Sequence, residues 1–254
     1  MGLYKRKRRQ NAFALANNEN AKTLHKYLEF TATEQYKLIR ANLDFTLPEG
    51  EKCPVIGVTS SMKGEGKSTT SINLSYVFAE TGSKVLLIDA DLRLPTLAKK
   101  LDIENSPGLA DLLRGNGIQL SQIRSHLLNN WFILPAGDIP PNPSELLGSS
   151  RMKNLLNQLR EIFDYIIIDL PPVNIVSDAI SISRLITGMI VVIREEHTEK
   201  RELERCFRQL KLSNVNILGC VLNQAKVDGG ASYKQHHKYA YYKRSLVAQE
   251  EKEQ

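Results

Sequence analysis

The stretch Ser60-Ser61-Met62-Lys63-Gly64-Glu65-Gly66-Lys67-Ser68-Thr69 constrains this chain more than any other. It follows a strand-like run, Val55-Ile56-Gly57-Val58-Thr59, and opens a helix-like run from Ser71 to Glu80. A strand, a glycine-bearing turn and a helix in that order read as a phosphate-binding loop. Gly64 and Gly66 lack a Cβ, so main-chain amides can wrap phosphate oxygens, and the helix N-terminus adds partial positive charge. Lys67 can reach the β- and γ-phosphates and the Ser68 hydroxyl can ligate Mg²⁺, while Glu65 and Thr69 complete the cofactor-binding set. The standard pattern G-x-x-x-x-G-K-[ST] calls for glycine at position 61, where Ser61 stands, so the loop needs support from elsewhere in the chain.

Two apolar runs supply it. Val85-Leu86-Leu87-Ile88 ends in Asp89-Ala90-Asp91, and Tyr165-Ile166-Ile167-Ile168 ends in Asp169. Short apolar runs of this kind suit buried parallel strands, whose C-terminal ends share one crevice with the phosphate loop in an open α/β sheet. ATP with Mg²⁺ needs that convergence: amides and Lys67 for the phosphates, Ser68, Asp89, Asp91 and Asp169 for the metal and its waters. Lys67, Asp89, Asp91 and Asp169 form the candidate catalytic set. A dinucleotide fold would want a third glycine where Thr69 stands, and Lys67-Ser68 fits phosphate and Mg²⁺ better.

Around these stretches, strand-like and helix-like segments alternate, which predicts an α/β fold: a doubly wound, mainly parallel sheet of the P-loop NTPase type with flexible tails. The spacing predicts helices over 33–45, 95–101, 108–114, 142–163, 178–186 and 198–212, and strands over 131–135, 189–194 and 217–222. Residues 1–30 read as a basic flexible arm, 31–227 as the catalytic domain, and 228–254 as a polar tail. Lys5-Arg6-Lys7-Arg8-Arg9 supplies most of the net charge of +6, leaving the rest nearly neutral. A short basic run of this kind is more often solvated than bound to lipid or nucleic acid, and no nucleic-acid partner is expected. Cys53, Cys206 and Cys220 are odd in number and lack C-x-x-C spacing, which fits free thiols in a reducing compartment, the cytoplasm. No stretch approaches 18 consecutive apolar residues. The tail carries Tyr233, Tyr239, Tyr241 and Tyr242 without apolar periodicity, so it displays phenol groups outside a core.

The combined pattern resembles the bacterial tyrosine kinases, or BY-kinases, and among them the separate kinase subunits of capsular and exopolysaccharide assembly systems. The loop 60–69, the segment Leu87-Ile88-Asp89-Ala90-Asp91-Leu92-Arg93-Leu94-Pro95, the run Tyr165 to Pro172 and the tyrosine cluster carry the likeness. The resemblance implies a protein-tyrosine kinase that autophosphorylates Tyr233, Tyr239, Tyr241 and Tyr242. It implies Asp89 as the base for the tyrosine hydroxyl, Asp91 and Asp169 at Mg²⁺, and Arg93 bracing carboxylates or phosphates. Glu34, Lys37 and Arg40 stand where the family has an E-x-x-R-x-x-R oligomerisation helix within 31–47, which implies a homo-oligomeric ring; Lys37 departs from that motif and loses a guanidinium fork. A transmembrane adaptor of the polysaccharide co-polymerase type, a tyrosine phosphatase and a place at the inner face of the membrane are implied as well. The competing readings are a partition or positioning ATPase and an ATP-binding regulatory scaffold. The first is disfavoured because its signature lysine would fall at Met62.

Overall fold

The computed structural model describes residues 30–115 and 123–226. The basic run 5–9 and the tail tyrosines Tyr233, Tyr239, Tyr241 and Tyr242 lie outside them. The chain divides into a unit ending at Asn223 and a second beginning at Gln224. In the first, the elements run α1 (Phe30–Thr46), β1 (Val55–Ser60), α2 (Lys67–Glu80), β2 (Val85–Asp89), α3 (Leu97–Leu101), α4 (Leu109–Arg114), β3 (Arg124–His126) and β4 (Leu128–Leu134). There follow α5 (Pro143–Leu147), α6 (Ser150–Arg160), β5 (Tyr165–Asp169), α7 (Asp178–Ile182), β6 (Gly188–Arg194), α8 (Lys200–Leu212) and β7 (Ile217–Asn223).

The sheet order is β3-β4-β2-β5-β1-β6-β7, parallel except for the short edge strand β3, which runs antiparallel to β4. Because β2, β5 and β6 are sandwiched, their successive side chains feed two cores in alternation. Leu86, Ile88, Ile166, Ile168, Met189 and Val191 pack with Met152, Leu155 and Leu159 of α6 and with Cys206 and Leu210 of α8. Leu87, Ile167, Ile190 and Val192 face the other way, toward Ile72, Leu74 and Phe78 of α2 and Leu43 of α1. Helix α2 is buried almost throughout, with α1 packed against it. Its Ser75 hydroxyl accepts a 3.0 Å bond from the Trp131 indole, so the largest side chain of that core has its polar atom satisfied.

Three expectations are corrected. The predicted helical region 142–163 breaks at Gly148-Ser149, because the Ser149 hydroxyl accepts the Met152 amide and starts α6 afresh. The helix predicted over 178–186 ends at Ile182 and continues as a 3₁₀ turn, Ser183–Leu185. Strand β3, three residues long and without apolar alternation, was not predicted.

The cysteines follow their burial. Cys53 and Cys206 are buried and Cys220 is exposed. Burial pushes the Cys53 and Cys206 thiols up to about 12, which leaves almost no thiolate at neutral pH. Iodoacetamide at pH 8 therefore gives one adduct, at Cys220, and reaches the other two only in denaturant. Peptide mapping of the native and unfolded protein checks this, and early labelling of Cys53 or Cys206 would contradict the packing described.

Candidate active site

The carboxyl ends of β1, β2 and β5 lie side by side in the register Val58↔Asp169 and Asp89↔Asp169. That register puts the phosphate loop next to both aspartate-bearing strand ends. Helix α2 starts at Lys67, so the amides of its first turn have no intrahelical acceptor and face the loop. Gly64 and Gly66 have φ of 89° and 96°, the left-handed region that only glycine enters cheaply. Ser61 has no such backbone. Its hydroxyl instead donates to Glu65 Oε1 at 2.7 Å, so the loop closes with serine in place of glycine.

Glu65, expected among the cofactor-binding residues, has its carboxylate folded inward and buried. It accepts from the Met62 amide at 2.9 Å and from the Thr198 hydroxyl at 2.6 Å as well as from Ser61. Its side chain stitches the loop shut, leaving main-chain groups to meet a ligand. Arg194 at the end of β6 donates to Gly64 O at 3.2 Å, and Asn223 at the end of β7 donates to Glu65 O at 3.0 Å. A Cβ at Gly66 would collide with Asn223 Nδ2. Gly66→Ala therefore adds backbone strain of about 1–3 kcal/mol to a steric conflict. We expect the variant to lose ADP binding at least tenfold by titration, with a lowered melting temperature; ADP binding at the unaltered level would refute the loop geometry.

Lys67 Nζ lies 2.9 Å from Asp91 Oδ2 and 3.8 Å from Asp169 Oδ2. Burial works against its charge, but the carboxylates of Asp169 and Asp91 outweigh it and hold the ammonium above the ordinary lysine value. Asp91 Oδ1 accepts the Leu94 amide at 3.2 Å. Asp169 Oδ1 accepts from Ser71 at 3.1 Å, while its buried Oδ2 has no hydrogen-bond partner. Burial raises the Asp169 carboxyl, partly offset by Lys67. Asp89 is fully buried: Oδ1 accepts the Asp91 amide at 3.2 Å, and Oδ2 accepts those of Thr96 and Leu97 at 3.2 and 3.0 Å. Burial, and then repulsion from Asp169, lift it well above the usual carboxylate range. Ser68 Oγ accepts from the Thr96 hydroxyl at 3.0 Å.

The donor set suits a nucleotide-bound Mg²⁺. Among the described residues no three His, Cys, Asp or Glu side chains form a self-sufficient metal cage. Mg²⁺ in nucleotide sites asks for less, one or two protein ligands with phosphates and waters, and Asp169 Oδ2, buried without a hydrogen bond and with only the Lys67 ammonium at 3.8 Å, has acceptor capacity left for such a shell. Arg93, expected to brace the carboxylates or phosphates, gives its guanidinium to Asp178, at 2.9 and 3.0 Å. Thr69 sits beside the loop with its hydroxyl 3.4 Å from Lys100 Nζ. Thr96, Lys100, Thr198 and Asn223 were missed by sequence reasoning. Only the position of Asn223 at a strand end gave any signal.

On α1, Lys37 pairs with Glu34 at 2.8 Å, while Arg40 turns inward and donates to Val77 O of α2 at 3.1 Å. The partly exposed pair is worth about 0.3–0.5 kcal/mol.

A buried lysine at a helix N-terminus, flanked by strand-end carboxylates in a doubly wound sheet, defines a P-loop nucleotide-binding domain. The family described as "AAA domain" matches residues 53–217. The chain is 34% identical over 219 residues to "Putative tyrosine-protein kinase CapB" of Staphylococcus aureus, covering 86% of this chain and 93% of that one. It is 37% identical over 210 residues to "Tyrosine-protein kinase YwqD" of Bacillus subtilis (strain 168), covering 83% and 86%. Among solved structures, "the chimerical protein CapA2B2" aligns with a TM-score of 0.72 and 34% identity, over 76% of this chain and 85% of the other. The chain belongs to the bacterial tyrosine kinase family, and its enzyme class is protein-tyrosine kinase.

Proposed function

We propose that the protein transfers the γ-phosphoryl group of ATP to tyrosines of its own C-terminal segment, Tyr233, Tyr239, Tyr241 and Tyr242, and thereby regulates capsular or exopolysaccharide synthesis and export. The observation that carries the proposal is the Lys67 ammonium held between Asp91 and Asp169 at the mouth of the phosphate loop. In that reading the loop amides and Lys67 bind the phosphates, with Lys67 exchanging Asp91 for phosphate oxygens. Ser68, Asp91 and Asp169 hold the metal shell, Asp169 through Oδ2, which carries no hydrogen bond. When bound, Mg²⁺ neutralises charge that builds on the β- and γ-phosphate oxygens. The phenol oxygen forms the new bond to γ-phosphorus as the bond to the β–γ bridging oxygen breaks and ADP leaves. The phenol proton passes to Asp89, the base that the family resemblance implies, which must be ionised when the phenol attacks.

The neighbours with which the protein works are proposed on family resemblance. They are a transmembrane adaptor of the polysaccharide co-polymerase type, further copies in a ring through Glu34, Lys37 and Arg40, and a tyrosine phosphatase. The working place is then the cytoplasmic face of the membrane, reached through the adaptor. Among the described residues no helix is long and apolar enough to cross a membrane. In this reading residues 31–227 are the catalytic domain, 1–30 a basic arm and 228–254 the acceptor tail.

Intact-mass and phosphopeptide mapping after incubation with ATP and Mg²⁺ tests the reading, with and without the cytoplasmic end of a co-encoded membrane protein. Phosphate is expected between Tyr233 and Tyr242. Replacing all four tyrosines by phenylalanine should remove it and leave ADP affinity within about twofold, because the acceptors take no part in holding the nucleotide phosphates. Persistent phosphotyrosine in that variant would move the acceptors elsewhere, and ATP turnover with an unmodified tail would favour a switch ATPase.

A further inference from the structure

Asp178 is fully buried at the start of α7, nine residues beyond Asp169 and far from any expected role. It meets an arginine fork: Arg93 Nε donates to Oδ2 at 2.9 Å and Arg93 Nη2 donates to Oδ1 at 3.0 Å. Ser144 of α5 also donates to Oδ1, lies 3.4 Å from Arg93 Nη2, and shares a 3.0 Å hydroxyl contact with Ser177. The loop after β2 is thereby tied to the starts of α5 and α7, which follow β4 and β5. A parallel two-bond guanidinium–carboxylate pair fixes orientation as well as distance, which an isolated lysine would not do.

Arg93 lies inside the turn that Asp91 closes through the Leu94 amide. In the structure the Asp91 carboxylate has a second anchor, Lys67 Nζ at 2.9 Å. Nucleotide phosphates compete for that same ammonium, so on binding Asp91 gives up the anchor just when it must face the metal shell. The main-chain bonds of the turn persist, Asp91 N to Asp89 Oδ1 at 3.2 Å and Ala90 N to Asp169 O at 2.9 Å, and the Arg93–Asp178 fork remains beside them as the side-chain ion pair that ties the turn to the segment following Asp169. On the other side, the segment leading from Asp169 to α7 is fixed to β1 and the phosphate loop by Leu170 N to Val58 O and Val173 N to Ser60 O, both 2.9 Å.

We propose that Arg93 and Asp178 are positioning residues: their fork holds the Asp91 turn in register with Asp169 after Lys67 has moved to phosphate. The proposal rests on Asp91 facing the metal, as stated above. It makes Arg93 act through Asp91, without itself touching the nucleotide.

The test is binding of ADP to the full chain, measured by titration with and without Mg²⁺, together with the Mg²⁺ concentration for half-maximal transfer. Arg93→Ala should raise the Mg²⁺ requirement by about tenfold, the usual scale for losing a group that orients a metal-facing carboxylate. Metal-free ADP affinity should change less than twofold. Arg93→Lys should recover part of the loss, and Arg93→Ala with Asp178→Asn should be no worse than Arg93→Ala alone, since both remove one interaction. Equal loss of metal-free and metal-dependent binding would overturn the proposal, showing either direct phosphate contact or a purely structural pair. So would an unchanged Mg²⁺ requirement. Asp91→Asn separates the layers: a shifted Mg²⁺ requirement there, with none in Arg93→Ala, refutes the fork alone. No shift in either refutes the assignment of Asp91.

Discussion

Lys67→Met abolishes phosphotyrosine formation, lowering transfer at least about 100-fold, the scale for removing one preorganised charge from a developing anion. The side chain is the only cation that the structure places between Asp91 and Asp169 among the described residues, and no neighbour can substitute. Lys100 keeps its ammonium 3.4 Å from the Thr69 hydroxyl. Burial, and repulsion from Lys67, lower the proton affinity of Lys100. The substitution also breaks a buried ion pair from one side, at a cost of about 3–5 kcal/mol, reduced where a carboxylate takes up a proton. The variant should therefore melt lower yet keep its far-ultraviolet circular dichroism spectrum. Measurement of phosphotyrosine by mass together with that spectrum decides the matter: a folded variant that phosphorylates at the normal rate would remove Lys67 from the phosphate site.

What was legible in the sequence was what depends on near neighbours. The runs 85–89 and 165–169 had the unbroken apolar character of strands covered on both faces, so their terminal aspartates could be placed in the crevice before any contact was known. The inward turn of Glu65 was hidden, because it depends on Thr198, 133 residues away, and on Ser61 doing without a left-handed backbone. Arg93 meets Asp178 across 85 residues, and nothing in the local segment distinguishes that fork from one aimed at phosphate. Helix α1 shows a different limit. Three-residue spacing precesses about 60° per step around a 3.6-residue helix, so positions 34, 37 and 40 cannot all share one line. Glu34 and Lys37 stay together at the surface, while Arg40 swings onto α2.

The hardest assignment to read was Asp89, and Asp89→Asn is the second large effect. Both its oxygens already accept main-chain amides from Asp91, Thr96 and Leu97, so the carboxylate organises the turn that carries Asp91 in addition to any role with a proton. Burial and the Asp169 charge favour a proton on it, whereas an acceptor for the phenol proton must start as the carboxylate, so the base role depends on nearby positive charge such as Lys67 to ionise it. Asparagine keeps the size and one carbonyl oxygen but cannot take a proton. If the base assignment holds, transfer falls by about 10²–10⁴-fold, the range for loss of a general base, while ADP affinity in the presence of Mg²⁺ stays within about threefold. If Asp89 serves the turn alone, its amide can still accept from Thr96 and Leu97, and transfer and binding should fall together and modestly. Single-turnover transfer measured beside ADP titration on the same variant separates the two. A large fall in transfer with intact binding assigns the proton to Asp89, and parallel small losses reassign it to one of the two carboxylates beside Lys67, Asp91 or Asp169.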